Sequence, residues 1–76
     1  MDRQDPALRR LGRRITHLRK QQQLTIPALA TLTGLDPRVI VAMEAGDVDI
    51  HLTTIFTLAR ALGVTPQELL NFSEDT

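Results

Sequence analysis

The chain has 76 residues, and its nine basic and nine acidic residues give a formal net charge of zero. A chain of this length buries only about 60% of the surface that its unfolded form exposes, so we expect one small domain over residues 1–76, with flexible ends at residues 1–5 and 72–76. The absence of cysteine excludes disulfide bonds and thiolate metal sites, and no apolar stretch approaches the ~20 residues of a membrane span, so we predict a cytoplasmic protein without a membrane partner.

The first predicted helix begins at about Pro6, which suits a first helical turn, and ends near Gln22. It is the basic part of the chain, because residues 1–20 hold seven of the nine basic residues and two of the nine acidic ones. Any attraction to phosphate must therefore come mainly from this helix. Its inward stripe is predicted to consist of Leu8, Leu11, Ile15 and Leu18.

The basic side chains of this helix divide by their angle around its axis. Arg9, Arg13 and Lys20 are expected to point away from the core, whereas Arg10 and Arg14 are expected to flank it. These side chains have two interpretations, which the sequence leaves open. They form either a ridge that contacts phosphate or an acidic partner, or an ordinary solvated basic face.

Two short helices are predicted next, each with a recognisable start and end. The first follows its N-cap Thr25, accommodates Pro27 in its first turn and ends at Gly34. The second follows its N-cap Asp36 and ends at Gly46. Their predicted inward residues are Leu29 and Ala30 in the first helix, and Ile40 and Met43 in the second.

Two further helices complete the predicted fold. The fourth is expected to follow Leu52 and Thr53 and to stop at Gly63, and the fifth follows the capping box of residues 65–68 and carries Leu69 into the core. No alternating apolar pattern is long enough for a strand, so the fold class is predicted to be all-α with five helices. The inward residues of the fourth helix are expected to be Ile55, Leu58, Ala59 and Leu62.

A short connection joins the second and third predicted helices through Thr33-Gly34-Leu35. Such a connection is typical of a helix-turn-helix unit. From about Leu11 to Leu70 the chain resembles the lambda-repressor/Cro-like, or Xre, helix-turn-helix family. The resemblance implies a compact five-helix lambda-repressor-like DNA-binding domain. It is carried by the segments LGRRITHLRK, LTIPALATLTGL, IVAMEAG and LTTIFTLARALGVTPQELL.

The resemblance also implies structural roles for four residues. Ala30 would let the two short helices approach closely, and Gly34 would take the turn. Arg19 and Glu44 occupy the positions of an arginine and a glutamate that pair in this family. The residues alone agree, because Glu44 lies on the partly inward side of its helix and a half-buried carboxylate usually needs a partner.

Several positions that touch DNA in relatives carry unexpected residues here. Ile26 stands where a phosphate-binding glutamine is common, and the loop after the third helix is Asp47-Val48-Asp49, which would repel a phosphate backbone. Arg38 is the one residue of the third helix that can read a base edge. The other positions that would face bases are Pro37, Val41 and Ala42.

Two hypotheses follow from this mixture. In the first, the chain is an Xre-type transcriptional regulator that binds double-stranded DNA as a dimer and inserts its third helix in the major groove. Backbone amides at the start of the second helix could hold a phosphate. The DNA-binding residues predicted by this hypothesis are Thr25, Ile26, Pro37, Arg38, Val41, Ala42, Arg10 and Arg14.

In the second hypothesis, the scaffold is a protein-interaction module such as an anti-activator, a modulator of another regulator, or an antitoxin. The apolar strip of the third helix would then be the interface with a protein partner. A helical wheel with Ile40 and Met43 inward leaves Arg38, Val41, Ala42 and Ala45 outward, with Val39 at the margin. The predicted partner surface consists of Val39, Val41, Ala42 and Ala45.

The end of the chain is expected to form a homodimer contact. Relatives commonly dimerise through their last helix, and an apolar end on a chain with a small core fits a two-fold pair. We therefore predict dimerisation through Leu70 and Phe72.

The remaining polar residues do not indicate an enzyme. His17 and His51 lack cysteine or paired carboxylates at metal-ligand spacing, so we predict no metal site and no cofactor. Ser73 is the single serine and lies in the tail, where no activated nucleophile can be assembled. No catalytic residue is predicted.

Overall fold

A computed structural model describes residues 5–71 of the chain, and within this range it contains helices and no strand. This result confirms the predicted all-α class with five helices. In chain order they are α1 (Pro6–Gln21), α2 (Ile26–Thr33), α3 (Pro37–Ala45), α4 (Leu52–Leu62) and α5 (Pro66–Leu69).

The predicted N-caps are confirmed by their hydrogen bonds. The Thr25 hydroxyl accepts the N–H of Ala28 at 3.1 Å, and the Asp36 carboxylate accepts the N–H of Arg38 at 2.8 Å. At α5 the capping box is complete, because Thr65 and Glu68 each accept the other's backbone N–H at 3.0 and 2.8 Å. Each of these bonds satisfies an amide that a helix start leaves without an intrahelical acceptor.

Two helix boundaries differ slightly from the prediction. The first helix ends at Gln21, with Gln22 as its C-cap, and the left-handed residue that follows is Gln23 at φ 58°. The fourth helix begins at Leu52, with His51 as an extended N-cap that makes no side-chain cap bond. Thr53 therefore lies inside the first turn of α4 and not before it.

The core is formed by one apolar face from each helix. The composition of this core confirms the inward faces predicted for α2, α3 and α4. The side chain of Leu69 is also fully buried, as predicted. The buried hydrophobic residues are Leu11, Ile15, Leu18, Leu29, Ala30, Ile40, Met43, Ile55, Leu58, Ala59, Leu62 and Leu69.

The prediction was wrong at the start of α1. Leu8 is only half-buried and lies outside the core. Arg9, which was expected to point away from the protein, is half-buried, and its Cα and Cγ lie against Gly46 at the C-cap of α3. The neighbour at this end of α1 is therefore the end of α3, which covers Arg9 more than Leu8.

A close backbone contact joins α1 to α3 one turn further along. A Cβ atom built at Gly12 would lie 2.5 Å from the carbonyl oxygens of both Met43 and Glu44, much closer than a real Cβ can approach. Glycine in a helix interior costs roughly 1 kcal/mol relative to alanine. Here it permits the main chains of two helices to touch, which no other residue type allows.

Arg19 ties α3 and the α1–α2 turn to the first helix. Its Nε donates to Glu44 Oε2 at 2.7 Å and its Nη2 to Oε1 at 3.1 Å, while Nη1 donates to the carbonyl oxygen of Leu24 at 2.9 Å. The two side chains are only 11% and 10% exposed. The hydrogen bonds with Glu44 raise the pKa of Arg19, against the opposing effect of burial. Within residues 5–71 no buried side-chain nitrogen or oxygen lacks a hydrogen-bond partner.

No single helix within residues 5–71 is long and apolar enough to cross a membrane. Helices α2 and α3 together would reach the required length and composition, but their axes meet at 110°.

Replacing Gly12 by alanine tests the α1–α3 contact. Helix propensity alone predicts a gain of up to about 1 kcal/mol in the free energy of unfolding. Because the new Cβ would collide with two backbone carbonyls, we expect a loss of about 2 kcal/mol or more instead. The free energy of unfolding is measured by urea denaturation followed by circular dichroism. Arg13→Ala, at an exposed position on the same helix, is the control. A Gly12→Ala variant that is more stable than the parent would contradict the contact.

Removing one partner of the Arg19–Glu44 pair should lower the free energy of unfolding more than replacing both partners with apolar residues. Glu44→Ala leaves a guanidinium buried with one remaining acceptor, and we expect a loss of about 3–5 kcal/mol in the free energy of unfolding. The double variant Arg19→Met with Glu44→Leu removes both charges and should recover much of that loss. The same urea titrations measure both variants. A double variant no more stable than Glu44→Ala would show that the pair is not the source of the effect.

Candidate nucleic-acid interface

Helices α2 and α3 and the turn between them form a helix-turn-helix unit. The turn residue Gly34 has φ 75°, and its N–H donates to the carbonyl oxygen of Ala30 at 2.8 Å. The Thr33 hydroxyl donates to the carbonyl oxygen of Leu29 and accepts the N–H of Leu35. The axes of the two helices meet at 110°, and one side of α3 is exposed to solvent.

The solvent side of α3 is apolar apart from one arginine. Val41 is 52% exposed and Val39 is 42% exposed, so Val39 lies further outward than the margin predicted for it. Ala45 is exposed, but Ala42 is half-buried. This surface can contact methyl groups or another apolar surface, and hydrogen bonds to a polar target must come from Arg38.

Arg38 is held in an exposed ion pair that the sequence analysis did not identify. Its Nε donates to Asp36 Oδ1 at 3.2 Å and its Nη2 to Oδ2 at 3.0 Å. These bonds lower the pKa of Asp36, and the carboxylate raises the pKa of Arg38. Residues two apart do not meet on a helix surface, but Asp36 is the N-cap and lies outside the helix. Recognising the pair from Asp36-Pro37-Arg38 would have required the N-cap geometry.

The start of α2 offers less to a phosphate than the sequence suggested. The Thr25 hydroxyl is used as the N-cap, and the N–H of Ala28 donates to it. Pro27 has no N–H, so the free amide of this first turn is that of Ile26. The Ile26 side chain packs against the core and is half-buried. Pro37 likewise contributes no N–H at the start of α3, where it is exposed.

Arg10 and Arg14, which were expected to add positive charge to the DNA-binding surface, lie on α1 and not on the helix-turn-helix unit. Arg14 donates through Nε and Nη2 to the carbonyl oxygen of Glu68, at 3.2 and 3.0 Å, so it contacts the end of α5. Arg10 lies one turn earlier on the same side and is half-buried. The structure thus groups Thr25, Ile26, Pro37, Arg38, Val41 and Ala42 on the helix-turn-helix unit and places Arg14 against α5.

The loop after α3 directs two carboxylates outward. Asp47 and Asp49 are exposed, whereas Val48 and Ile50 alternate with them and pack against the core. The N–H of Asp47 also donates to the carbonyl oxygen of Ala42 at 2.9 Å, which fixes the loop to the end of α3. The two acidic residues therefore lie in a loop that is attached to the end of α3.

Exposed apolar side chains also occur away from α3. Leu70, the C-cap of α5, is 45% exposed, and Phe72 lies outside the described residues. Leu52 and Phe56 are 68% and 49% exposed on one face of α4, and the sequence analysis did not single them out. Their spacing of four residues was the available signal.

Neither histidine lies on helix α2 or α3. His17 and His51 are both exposed. Within the described part of the chain, no group of three or more histidine, cysteine or acidic side chains is placed to hold a metal ion.

Comparisons with known proteins agree with this architecture. A helix-turn-helix family model, HTH_3, matches residues 15–69, which is more than half of the chain. The restriction-modification controller protein C.AhdI from Aeromonas hydrophila is 35% identical, with a TM-score of 0.83 over 86% of this chain and 98% of that chain. A search of curated proteins gives no significant match.

Two further solved structures share the fold. The hypothetical transcription factor NHTF from Neisseria is 29% identical, with a TM-score of 0.83 over 99% of this chain and 85% of that one. The clp gene regulator ClgR from C. glutamicum is 19% identical and shows the fold alone, with a TM-score of 0.86 over 91% of this chain and 88% of that chain. The chain belongs to the HTH_3 helix-turn-helix family, the Xre or lambda-repressor-like class of DNA-binding transcriptional regulators.

Proposed function

We propose that this regulator reads DNA through α3, with Arg38 as its principal base-reading residue. The observation that carries the proposal is the position of Arg38, whose side chain is 90% exposed at the start of α3 in a helix-turn-helix unit. Arginine donates two parallel hydrogen bonds to O6 and N7 of guanine, which is the commonest specific contact in the major groove. Val41 and Ala42 would add apolar contacts with thymine methyl groups.

Phosphate contacts would come from few groups. The N–H of Ile26 and the hydroxyl of Thr25 lie at the start of α2, where a helix terminus favours an anion. Arg10 and Arg14 would contribute longer-range attraction, and hydrogen bonds to the backbone carbonyl oxygen of Glu68 hold the Arg14 guanidinium beside α5. With Asp47 and Asp49 beside α3, sequence-independent binding would be weak and specific binding would depend on base contacts.

A two-fold pair of subunits would place two copies of α3 on DNA. Helix-turn-helix dimers bind half-sites about one helical turn apart, so dimerisation fixes the spacing that the protein recognises. We assign the contact to the exposed Leu70 and to Phe72. The similarity to C.AhdI, a restriction-modification controller protein that is 35% identical to this chain, supports a regulatory role.

A protein-interaction role is the second candidate, and the α3 surface is the observation that favours it. Val39, Val41 and Ala45 are exposed on the same helix as Arg38, and two carboxylates follow them in the loop. Contiguous exposed apolar surface is typical of a protein interface. Such a module would bind an apolar partner surface with a basic rim, and it would not bind DNA even at low salt.

A gel shift with the full chain distinguishes the two candidates. We expect binding to the DNA upstream of its own gene to exceed binding to random DNA at low and near-physiological salt. Removing one bidentate contact costs about 1–3 kcal/mol. Arg38→Ala removes one such contact from each subunit of the proposed dimer, so it should weaken specific binding by about 2–6 kcal/mol, which is roughly 30-fold or more. The control is Arg60→Ala, which removes an exposed arginine from α4.

The opposite outcomes are equally informative. If Arg38→Ala binds upstream DNA no more weakly than Arg60→Ala does, Arg38 does not read bases. If the parent protein binds no DNA even at low salt, the α3 surface belongs to a protein partner.

Reversing the charge of the loop after α3 tests whether that loop faces DNA. Replacing Asp47 and Asp49 together with lysine should strengthen binding to random DNA and steepen its salt dependence. Each new phosphate contact changes the slope of log K against log salt by about 0.9, so we expect a change of about 1–2. Fluorescence anisotropy over a salt series measures the slope.

Two lysines placed elsewhere provide a control for the presence of two added lysines. Gln67→Lys with Asn71→Lys adds positive charge at exposed positions around α5 and should change the slope little. Unchanged affinity of the loop variant at low salt would show that Asp47 and Asp49 face away from DNA.

A further inference from the structure

The carboxylate of Asp36 is fixed before it contacts Arg38. Its Oδ1 accepts the backbone N–H of Arg38 at 2.8 Å, as the N-cap of α3, and the chain between the two residues is Pro37, whose ring restricts φ. The same carboxylate then accepts Nε and Nη2 of the Arg38 side chain at 3.2 and 3.0 Å. The guanidinium is therefore held by a group that is itself attached to the helix start.

The pair occupies one edge of the guanidinium and leaves another available. Nε and the adjacent hydrogen of Nη2 form the side edge, which faces Asp36. The end edge consists of the second Nη2 hydrogen and the Nη1 hydrogen that is parallel to it, and the Arg38 side chain is 90% exposed. A planar guanidinium can form a bidentate contact at each edge, because its five N–H donors are rigidly arranged.

We propose that Asp36 is a positioning residue that makes Arg38 selective for guanine, by holding the side edge while the end edge meets O6 and N7. This inference rests on the proposed function of α3 as a DNA reader. Asp36 does not contact the base in this arrangement. Its carboxylate determines the direction in which the guanidinium points.

Two physical effects would produce the selectivity. An unrestrained arginine samples many rotamers, and the fixed carboxylate reduces the entropy that is lost when the side chain contacts a base. In addition, the negative charge of Asp36 repels a fully charged phosphate more strongly than the acceptor edge of a neutral guanine, whose O6 and N7 carry only partial negative charges. The carboxylate should thus weaken sequence-independent contacts while it strengthens discrimination between bases.

The test is Asp36→Asn in the full chain. Asparagine is as effective an N-cap as aspartate, so α3 should keep its start while the ion pair is lost. The probe is a double-stranded DNA library with a randomised centre, selected on the protein and sequenced. We expect the parent to prefer guanine at one position by roughly 5- to 150-fold, and Asp36→Asn to lose most of that preference. Its affinity for a random duplex should stay equal or rise.

Matched variants separate this role from its alternatives. Asp5→Asn makes the same change at the N-cap of α1, where the exposed carboxylate accepts the N–H of Ala7 at 2.8 Å, and it should keep the guanine preference. Arg38→Ala should abolish that preference. If Asp36→Asn does not fold by circular dichroism, Asp36→Ser provides a second capping residue without the charge.

The outcomes distinguish failure of this inference from failure of the proposed function. Full guanine preference in Asp36→Asn, together with its loss in Arg38→Ala, overturns the role of Asp36 and leaves α3 as the reader. If the parent selects no sequence, or Arg38→Ala selects the same sequence as the parent, the proposed function and this inference are overturned together.

Discussion

The orientation of α3 depends on the buried guanidinium of Arg19. Three of its nitrogens donate hydrogen bonds, two to Glu44 near the end of α3 and one to the carbonyl oxygen of Leu24 in the α1–α2 turn. One rigid side chain therefore fixes α3 and the chain leading into α2 relative to α1. Gly12 sets the distance of the same contact, because the main chains touch there. The exposed surface of α3 is positioned by contacts on its opposite side.

Features that depend on interactions between residues close in sequence could be predicted, whereas features that depend on contacts between distant parts of the chain could not. The capping residues Thr25, Asp36 and Thr65 act on amides two or three residues away, so their roles could be predicted from sequence. The buried faces follow from helical period. The α1–α3 contact at Gly12 and the Arg14 contact with Glu68 depend on how distant helices pack. No local sequence pattern encodes how closely two distant helices pack. The prediction that Arg9 points away from the protein was wrong for the same reason.

The arginine–glutamate pair was anticipated from family resemblance and the half-buried position of Glu44, but the Asp36–Arg38 pair was not. The two pairs have different energetic roles. The first is almost completely buried, so it contributes to one defined arrangement of helices. The second is exposed, and an exposed pair contributes little to stability because solvent screens it. Its consequence lies in the direction of the Arg38 guanidinium and not in the stability of the fold.

The poor polar content of the α3 surface limits how specific one subunit can be. A single bidentate arginine contact discriminates by about 1–3 kcal/mol, whereas specific sites are typically preferred over random DNA by roughly 4–10 kcal/mol. In the proposed dimer, two subunits would double the contribution of Arg38 to about 2–6 kcal/mol, and the methyl contacts of Val41 and the shape of the DNA would have to supply the rest. The acidic loop would lower the affinity for random DNA against which this preference operates. A reader with one arginine in each α3 therefore requires a dimer to bind selectively.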